Sequence, residues 1–156
     1  NIKFKSEGFL YPATYYIGVE MKEAEILKLL VDEFDRKINK EIREKLKVKK
    51  MDIQRLIILA SLVEKEAQVA EERKVVASVF ENRIKQDMPL QSCATIQYIL
   101  GYPKEELSIA DTKIQSPYNT YINSGLPPGP IANPGMPSIL AALDPEKTEY
   151  LYFVVS

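Results

Sequence analysis

At 156 residues the chain has about one domain's length, and with 46% apolar and 28% charged residues it can bury a core and coat it. Twenty-one Lys and Arg against 22 Asp and Glu leave a net charge of −1, which argues against nucleic acid or anionic lipid as the main partner. There is no His and only one Cys, Cys93, so an internal Ser–His or Cys–His nucleophile pair, a His- or thiolate-built metal site and an internal disulfide are all excluded.

Taken in chain order, residues 8–17 (GFLYPATYYI) predict a turn followed by a short strand. From Glu23 to about Lys47 the apolar residues Ile26, Leu27, Leu30, Val31 and Phe34 recur at helical steps, which predicts one long helix. Its basic end, residues 36–50, has acids interspersed and reads as a solvated face. Asp52 is placed to cap a helix through IQRLIILASLVEKEA, apolar on most of its circumference and therefore central. Another helix is expected from about Ala70 to Gln86, and a turn or two from Thr95 to Leu100, closed by Gly101 and Pro103.

Six of the ten prolines lie between Pro117 and Pro137. Proline fixes φ and lacks an N–H, so this stretch must be an extended loop, and a loop this long inside a compact domain tends to be functional. A short helix at Ser138–Leu143 and a strand, TEYLYFVV, complete the reading. Helices with a few non-alternating strands predict an α+β domain: helix-rich, with a small β-sheet and a long Pro-rich loop. No apolar run approaches the ~20 residues that span a bilayer.

Two carboxylates stand in the greasy central helix, Glu64 and Glu66. At about 100° per residue they point roughly 160° apart and cannot share a face. A carboxyl desolvated by apolar neighbours titrates higher, which suits a general acid at neutral pH. Equally, the helix surfaces here and both groups are solvated or paired with Lys65 or Arg73. Periodicity does not choose. In the Pro-rich loop, Ser116, Tyr118, Asn119, Thr120 and Tyr121 combine rings that stack on sugars with groups that bond hydroxyls, or else the tyrosines anchor the loop to the core. Gln91, Ser92 and Thr95 form a second polar cluster, in which Ser92 is equally a helix cap.

The segments EGFLYPATYY (7–16), LASLVEKEA (59–67), ER (72–73) with VASVFENRI (76–84), MPLQSCAT (88–95), SPYNTYINSGLPPGPIANPG (116–135) and YLYFV (150–154) stand in the order found in the YceG-like endolytic murein transglycosylases. The resemblance covers nearly the whole chain. It implies a catalytic domain at 1–156, with a single transmembrane anchor and most of a LysM-like subdomain upstream and a further C-terminal segment downstream. By this resemblance the catalytic residue is Glu66, the second acid of the E-K-E triplet. It implies no cofactor or metal, glycan strands of peptidoglycan as substrate, peptidoglycan synthases as partners, and a protein at the extracytoplasmic face of a bacterial membrane. Gln91, Ser92, Thr95, Ser116, Tyr118, Asn119 and Tyr121 are expected to bind substrate, and Glu64, Arg73 and Asn82 to support the acid without taking part. Arg83 is expected to be structural as well. Where relatives often carry Asp at position 13 and Asp-Pro at 93–94, this chain has Ala13, Cys93 and Ala94, so any role of those acids lapses here, and Cys93 is read as a small packing residue.

The implied reaction needs one carboxyl. A lytic transglycosylase protonates the leaving oxygen and lets the muramoyl C6 hydroxyl close a 1,6-anhydro ring in place of water. A hydrolytic muramidase would need a second acid, with Glu64, Glu71 and Asp87 as candidates. A non-catalytic glycan-binding or scaffold module would keep the tyrosine loop and tolerate loss of Glu66. A pyridoxal-phosphate lyase, a label that such sequences have carried, lacks a phosphate-cradling loop here.

Overall fold

A computed structural model describes residues 2–154. Six α-helices follow in order: α1 (Glu23–Lys37), α2 (Lys40–Lys49), α3 (Ile53–Glu66), α4 (Arg73–Lys85), α5 (Cys93–Leu100) and α6 (Met136–Leu143), with a 3-10 turn at Asp111–Lys113. Helix α3 is the axle. Asp52 caps it by accepting from the Arg55 N–H at 2.6 Å, and eight consecutive residues from Leu56 to Val63 are buried. Helices α4, α5 and α6 all pack on α3, and α6 also packs on α4. A helix enclosed on most sides must be apolar over most of its circumference, as the stretch from Leu56 to Val63 is.

The single helix expected over Glu23 to Lys47 is two. Asn39 takes extended geometry and accepts from the Ile42 N–H at 3.0 Å, so it caps α2 and interrupts the ladder. The Arg43 guanidinium collects the Ile38 carbonyl freed by the break. The turn also rotates the apolar stripe: Phe34, Ile38, Ile42 and Leu46 are buried, whereas Leu27 and Val31 remain exposed. Phe34 meets Phe9 edge to face at 5.1 Å between centroids.

The expected α+β class is overturned. Among the described residues there is no strand and no sheet, only an isolated antiparallel bridge between Pro89 and Ser124. Both segments expected as strands are chain without regular structure, several of whose polar groups are taken by side chains. At 8–17, the Gly8 and Leu10 N–H groups both donate to Asn133 Oδ1, at 2.8 and 3.2 Å. At 148–154, Asn82 Nδ2 donates to the Thr148 and Tyr150 carbonyls, and Arg83 Nε to that of Leu151. Leu151 and Phe153 turn inward while Tyr150, Tyr152 and Val154 are exposed, so the period of two is kept without a partner strand. Phe153 lies edge to face against Phe80 of α4. Gly8 is required: its φ is +89°, and a Cβ there would stand 2.5 Å from Pro130 Cγ.

Residues 114–135 form the expected irregular loop, but it is not loosely laid over the surface. Asn119 is fully buried, donating to the Thr112 and Ile114 carbonyls and accepting from the Tyr121 N–H. Asn123 donates to the Ser116 and Asn119 carbonyls. Side-chain amides thus supply the pairing a sheet would have given. Among the described residues no helix is long and apolar enough to cross a membrane.

Candidate active site

Helix α3 ends on Glu66 at the wall of a groove of about 330 Å³. The groove is lined by Phe80 and Arg83 of α4, by Leu90 to Cys93 leading into α5, by Tyr121 of the loop, and by Tyr152 and Phe153. Glu66 is the only acid among the described residues that line it.

The Glu66 carboxylate is held through one oxygen. Oε1 accepts a short hydrogen bond from Ser92 Oγ and a long one, 3.4 Å, from the Ala94 N–H in the first turn of α5. Oε2 makes no hydrogen bond among the described residues. Ser92, itself buried, is fixed from behind: its N–H donates to Thr120 Oγ1 at 3.0 Å, and its carbonyl accepts from Thr95 Oγ1 at 2.7 Å. Thr95 and Thr120 hydroxyls meet at 3.0 Å. The preceding residue, Gln91, sits in the left-handed region at φ 51°, a strained conformation for a residue with a Cβ, and its N–H donates to the Thr120 carbonyl. The turn therefore fixes the serine backbone from which the hydroxyl reaches the acid.

On the far wall, Tyr121 Oη lies 3.0 Å from Cys93 Sγ. Burial foremost, then the bond to Cys93 and the charges of Cys93 and Glu66, push the Tyr121 pKa up, and the nearby Arg83 charge offsets only part of this. Tyr121 is thus a neutral phenol with a proton to donate at physiological pH. Cys93 is exposed and lines the groove, which corrects its reading as a packing residue.

Four of the expected site residues, Glu66, Gln91, Ser92 and Tyr121, come together here, with Thr95 fully buried behind Ser92. The others lie elsewhere. Tyr118 is only 4% exposed; its hydroxyl accepts from the Lys3 N–H at 3.0 Å, and its ring lies 5.1 Å from that of Tyr98. Asn119 is buried within the loop, and Ser116 accepts from the Tyr118 N–H. These three hold the loop together and present no open stacking face.

Glu64 points away from the groove. Its Oε2 accepts from Ser138 Oγ at 2.6 Å and from the Gly135 N–H at 3.2 Å, with Arg73 Nη1 3.5 Å away. Arg73 also donates to Ser138, so Glu64, Arg73 and Ser138 close the start of α6 onto α3 and α4. Asn82 binds the 148–150 segment. Sequence reasoning missed the lining by Phe80, Leu90, Tyr152 and Phe153, and the place of Arg83 in it. Arg83 is buried and donates to the carbonyls of Leu151, Pro89 and Leu90, with Tyr152 stacked 4.9 Å from its guanidinium. The signal was present in the aromatic YLYFV run, whose outward rings are Tyr150 and Tyr152, the second of them on the groove.

The class defined by these features is an all-helical domain with one carboxylate, fixed by one of its oxygens, in an open groove. The chain belongs to the YceG-like family, whose profile matches residues 1–156. It is 43% identical over 155 residues to the endolytic murein transglycosylase of Bacillus subtilis (strain 168), covering 99% of this chain and 43% of that protein. It is 40% identical over 160 residues to the protein of the same name from Streptococcus pneumoniae serotype 2 (strain D39), covering 97% of this chain and 28% of the other. A 2.6 Å crystal structure of a YceG-like protein from Listeria monocytogenes matches with a TM-score of 0.93 and 45% identity, over 98% of this chain and 50% of that one. The chain therefore spans less than half the length of these curated relatives.

Proposed function

We propose that this chain carries the catalytic centre of an endolytic lytic transglycosylase, cleaving the muramic acid–glucosamine linkage of peptidoglycan to leave 1,6-anhydro ends. The observation that carries the reading is the solitary acid: Glu64, Glu71 and Asp87, the candidates for a second carboxylate, do not line the Glu66 groove. The names of the relatives support it. On this reading the whole protein is anchored at the extracytoplasmic face of the membrane and works beside a peptidoglycan synthase.

The protonated Glu66 carries its hydrogen on Oε2, because Oε1 is engaged as an acceptor by Ser92 and Ala94. Oε2 gives this proton to the glycosidic oxygen as the C1–O bond breaks. The carboxylate left behind is held by the Ser92 O–H and the Ala94 N–H, and it takes the proton of the muramoyl C6 hydroxyl as that oxygen attacks C1. The proton returns to Glu66, no water is consumed, and one carboxyl serves as acid and then base. The phenol of Tyr121 and the ring of Tyr152 supply a donor and an apolar face to the sugar.

Digestion of purified peptidoglycan followed by mass spectrometry tests the proposal. Anhydro-ended fragments, one water lighter than hydrolytic products, are expected from the parent, with a loss of order 10²–10⁴ in rate for Glu66→Gln. Products that contain the added water would instead establish a hydrolase.

A further inference from the structure

A second pocket, of about 360 Å³, lies across the first turn of α5 from the Glu66 groove. Two residues link it to the acid: Lys65 precedes Glu66 in α3, and Ala94, whose N–H faces Glu66, contributes to the pocket wall. Its charged lining is Lys3 and Lys65, with aromatic sides from Phe4, Tyr98 and Tyr102. No acid lines it, and neither lysine forms an ion pair among the described residues. Glu7 feels the charge of Lys3, but it is half-buried and does not line the pocket. Lys3 is nonetheless positioned: Nζ donates to the Tyr98 carbonyl at 3.2 Å and stands 4.9 Å from the centre of the Tyr98 ring. A carbonyl and a ring give the ammonium no counter-charge at hydrogen-bond distance, and Lys65 is exposed at the same pocket.

We propose that this pocket binds the carboxylate-bearing side arm of the glycan, its two lysines pairing with the anion and its aromatic walls covering the arm's aliphatic part. The inference rests on the transglycosylase reading and deepens it. A muramoyl unit placed for cleavage at Glu66 carries a lactyl arm that ends either in its own carboxylate or in a peptide with terminal carboxylates. A pocket that shares Ala94 with the surroundings of the acid, with two cations in no ion pair among the described residues, suits that chemistry, whereas a plain amino-sugar gives the lysines nothing to pair with. The groove at Glu66 would then read the sugar ring and the pocket its charged arm, so that a strand is held on two sides of the bond to be broken.

The test is binding to the protein carrying Glu66→Gln, which prevents turnover, measured by calorimetry with three probes: peptide-bearing glycan strands, strands stripped of peptide by an amidase, and an N-acetylglucosamine hexamer without lactyl arms. Adding Lys65→Gln or Lys3→Gln is expected to weaken binding of a carboxylate-bearing strand by about two- to five-fold at low salt, with the difference fading at high salt. The hexamer should bind equally to all variants. An effect confined to peptide-bearing strands assigns the pocket to the peptide carboxylates; an effect on stripped strands as well assigns it to the lactyl carboxylate. Unchanged affinity for every probe, equal weakening for the hexamer, or no binding of either carboxylate-bearing strand would overturn the proposal. Anhydro-ended products from the parent protein keep the transglycosylase reading standing in each of those cases.

Discussion

Ser92→Ala isolates the one side-chain contact made to the acid. The serine hydroxyl hydrogen-bonds only to Glu66 Oε1 among the described residues, and its backbone bonds to Thr120 and Thr95 do not depend on it. Once Oγ is removed, the carboxylate that the proposed mechanism forms after proton donation keeps only the Ala94 N–H at 3.4 Å among the described residues, near the limit of a hydrogen bond. A hydrogen bond to a charged group is worth about 1.5–3 kcal/mol, and about 1.36 kcal/mol corresponds to a factor of ten. The expected loss in kcat is therefore about 10- to 150-fold, smaller than that of Glu66→Gln and with little change in KM. Folding stability should fall by only about 1 kcal/mol, a Tm shift of about 2–4 °C in a chain of this size. The assay is release of anhydro-ended muropeptides at saturating peptidoglycan, with a thermal melt of the same sample. In the Glu66→Gln background, Ser92→Ala should cost almost nothing further, because the charge it serves is gone. A Ser92→Ala enzyme with full kcat, or losses that simply multiply in the double variant, would refute this account of how the acid is held.

Three further expectations concern the frame around the groove. Glu64→Gln should destabilise the chain by about 1–3 kcal/mol, since it loosens the Ser138, Gly135 and Arg73 cluster, yet leave kcat near that of the parent at a temperature where both are folded; denaturant unfolding and the muropeptide assay separate the two. Gly8→Ala should cost about 2–5 kcal/mol in denaturant unfolding, because it meets both an unfavourable φ and the Pro130 ring. Asp111, held down to about 2 by hydrogen bonds from Lys104 and Ser108, titrates below its ordinary 3.8. A depressed carboxylate adds stability that is present above the unfolded value and disappears as pH falls through the folded one. The Tm gap between the parent and Asp111→Asn should therefore be complete above pH 4 and close towards pH 2; a gap that widens in acid would contradict the assignment.

What could be read from the sequence was what acts locally. Asp52 and the apolar run behind it specify α3 unaided, and prolines forbid a helix through residues 117–134. Hydrophobic alternation correctly reports extended chain at 148–154, but not whether another strand is there to pair with it. Here Asn82 and Arg83, some 65 residues away in sequence, take its carbonyls. Asn133 Oδ1 likewise accepts the N–H groups of Gly8 and Leu10, across 125 and 123 positions. No period or propensity encodes such long-range amide pairing. The break at Asn39 is a cap whose signal lay inside a continuous apolar stripe and was outvoted by it. At the site, periodicity separated Glu64 from Glu66 without ranking them, and the family resemblance ranked them. Within the loop, Tyr118 and Tyr121 are chemically alike and lie three residues apart; only the folded chain buries one and leaves the other on the groove.

The hydroxyls behind Glu66 also settle a question of direction. Thr95 spends its single proton on the Ser92 carbonyl, so at the Thr95–Thr120 contact the donor must be Thr120. Thr120, its own proton committed, is left as an acceptor for the Ser92 N–H. Neither hydroxyl has an alternative rotor setting that keeps both of its bonds. The Ser92 hydroxyl inherits this order, with its backbone clamped and Glu66 as its one partner. On the proposed mechanism, the dipoles facing Glu66 need not turn when it gives up its proton. The reorganisation that water would demand at that moment has been completed in folding, by residues drawn from α5 and from a loop that no regular secondary structure supports.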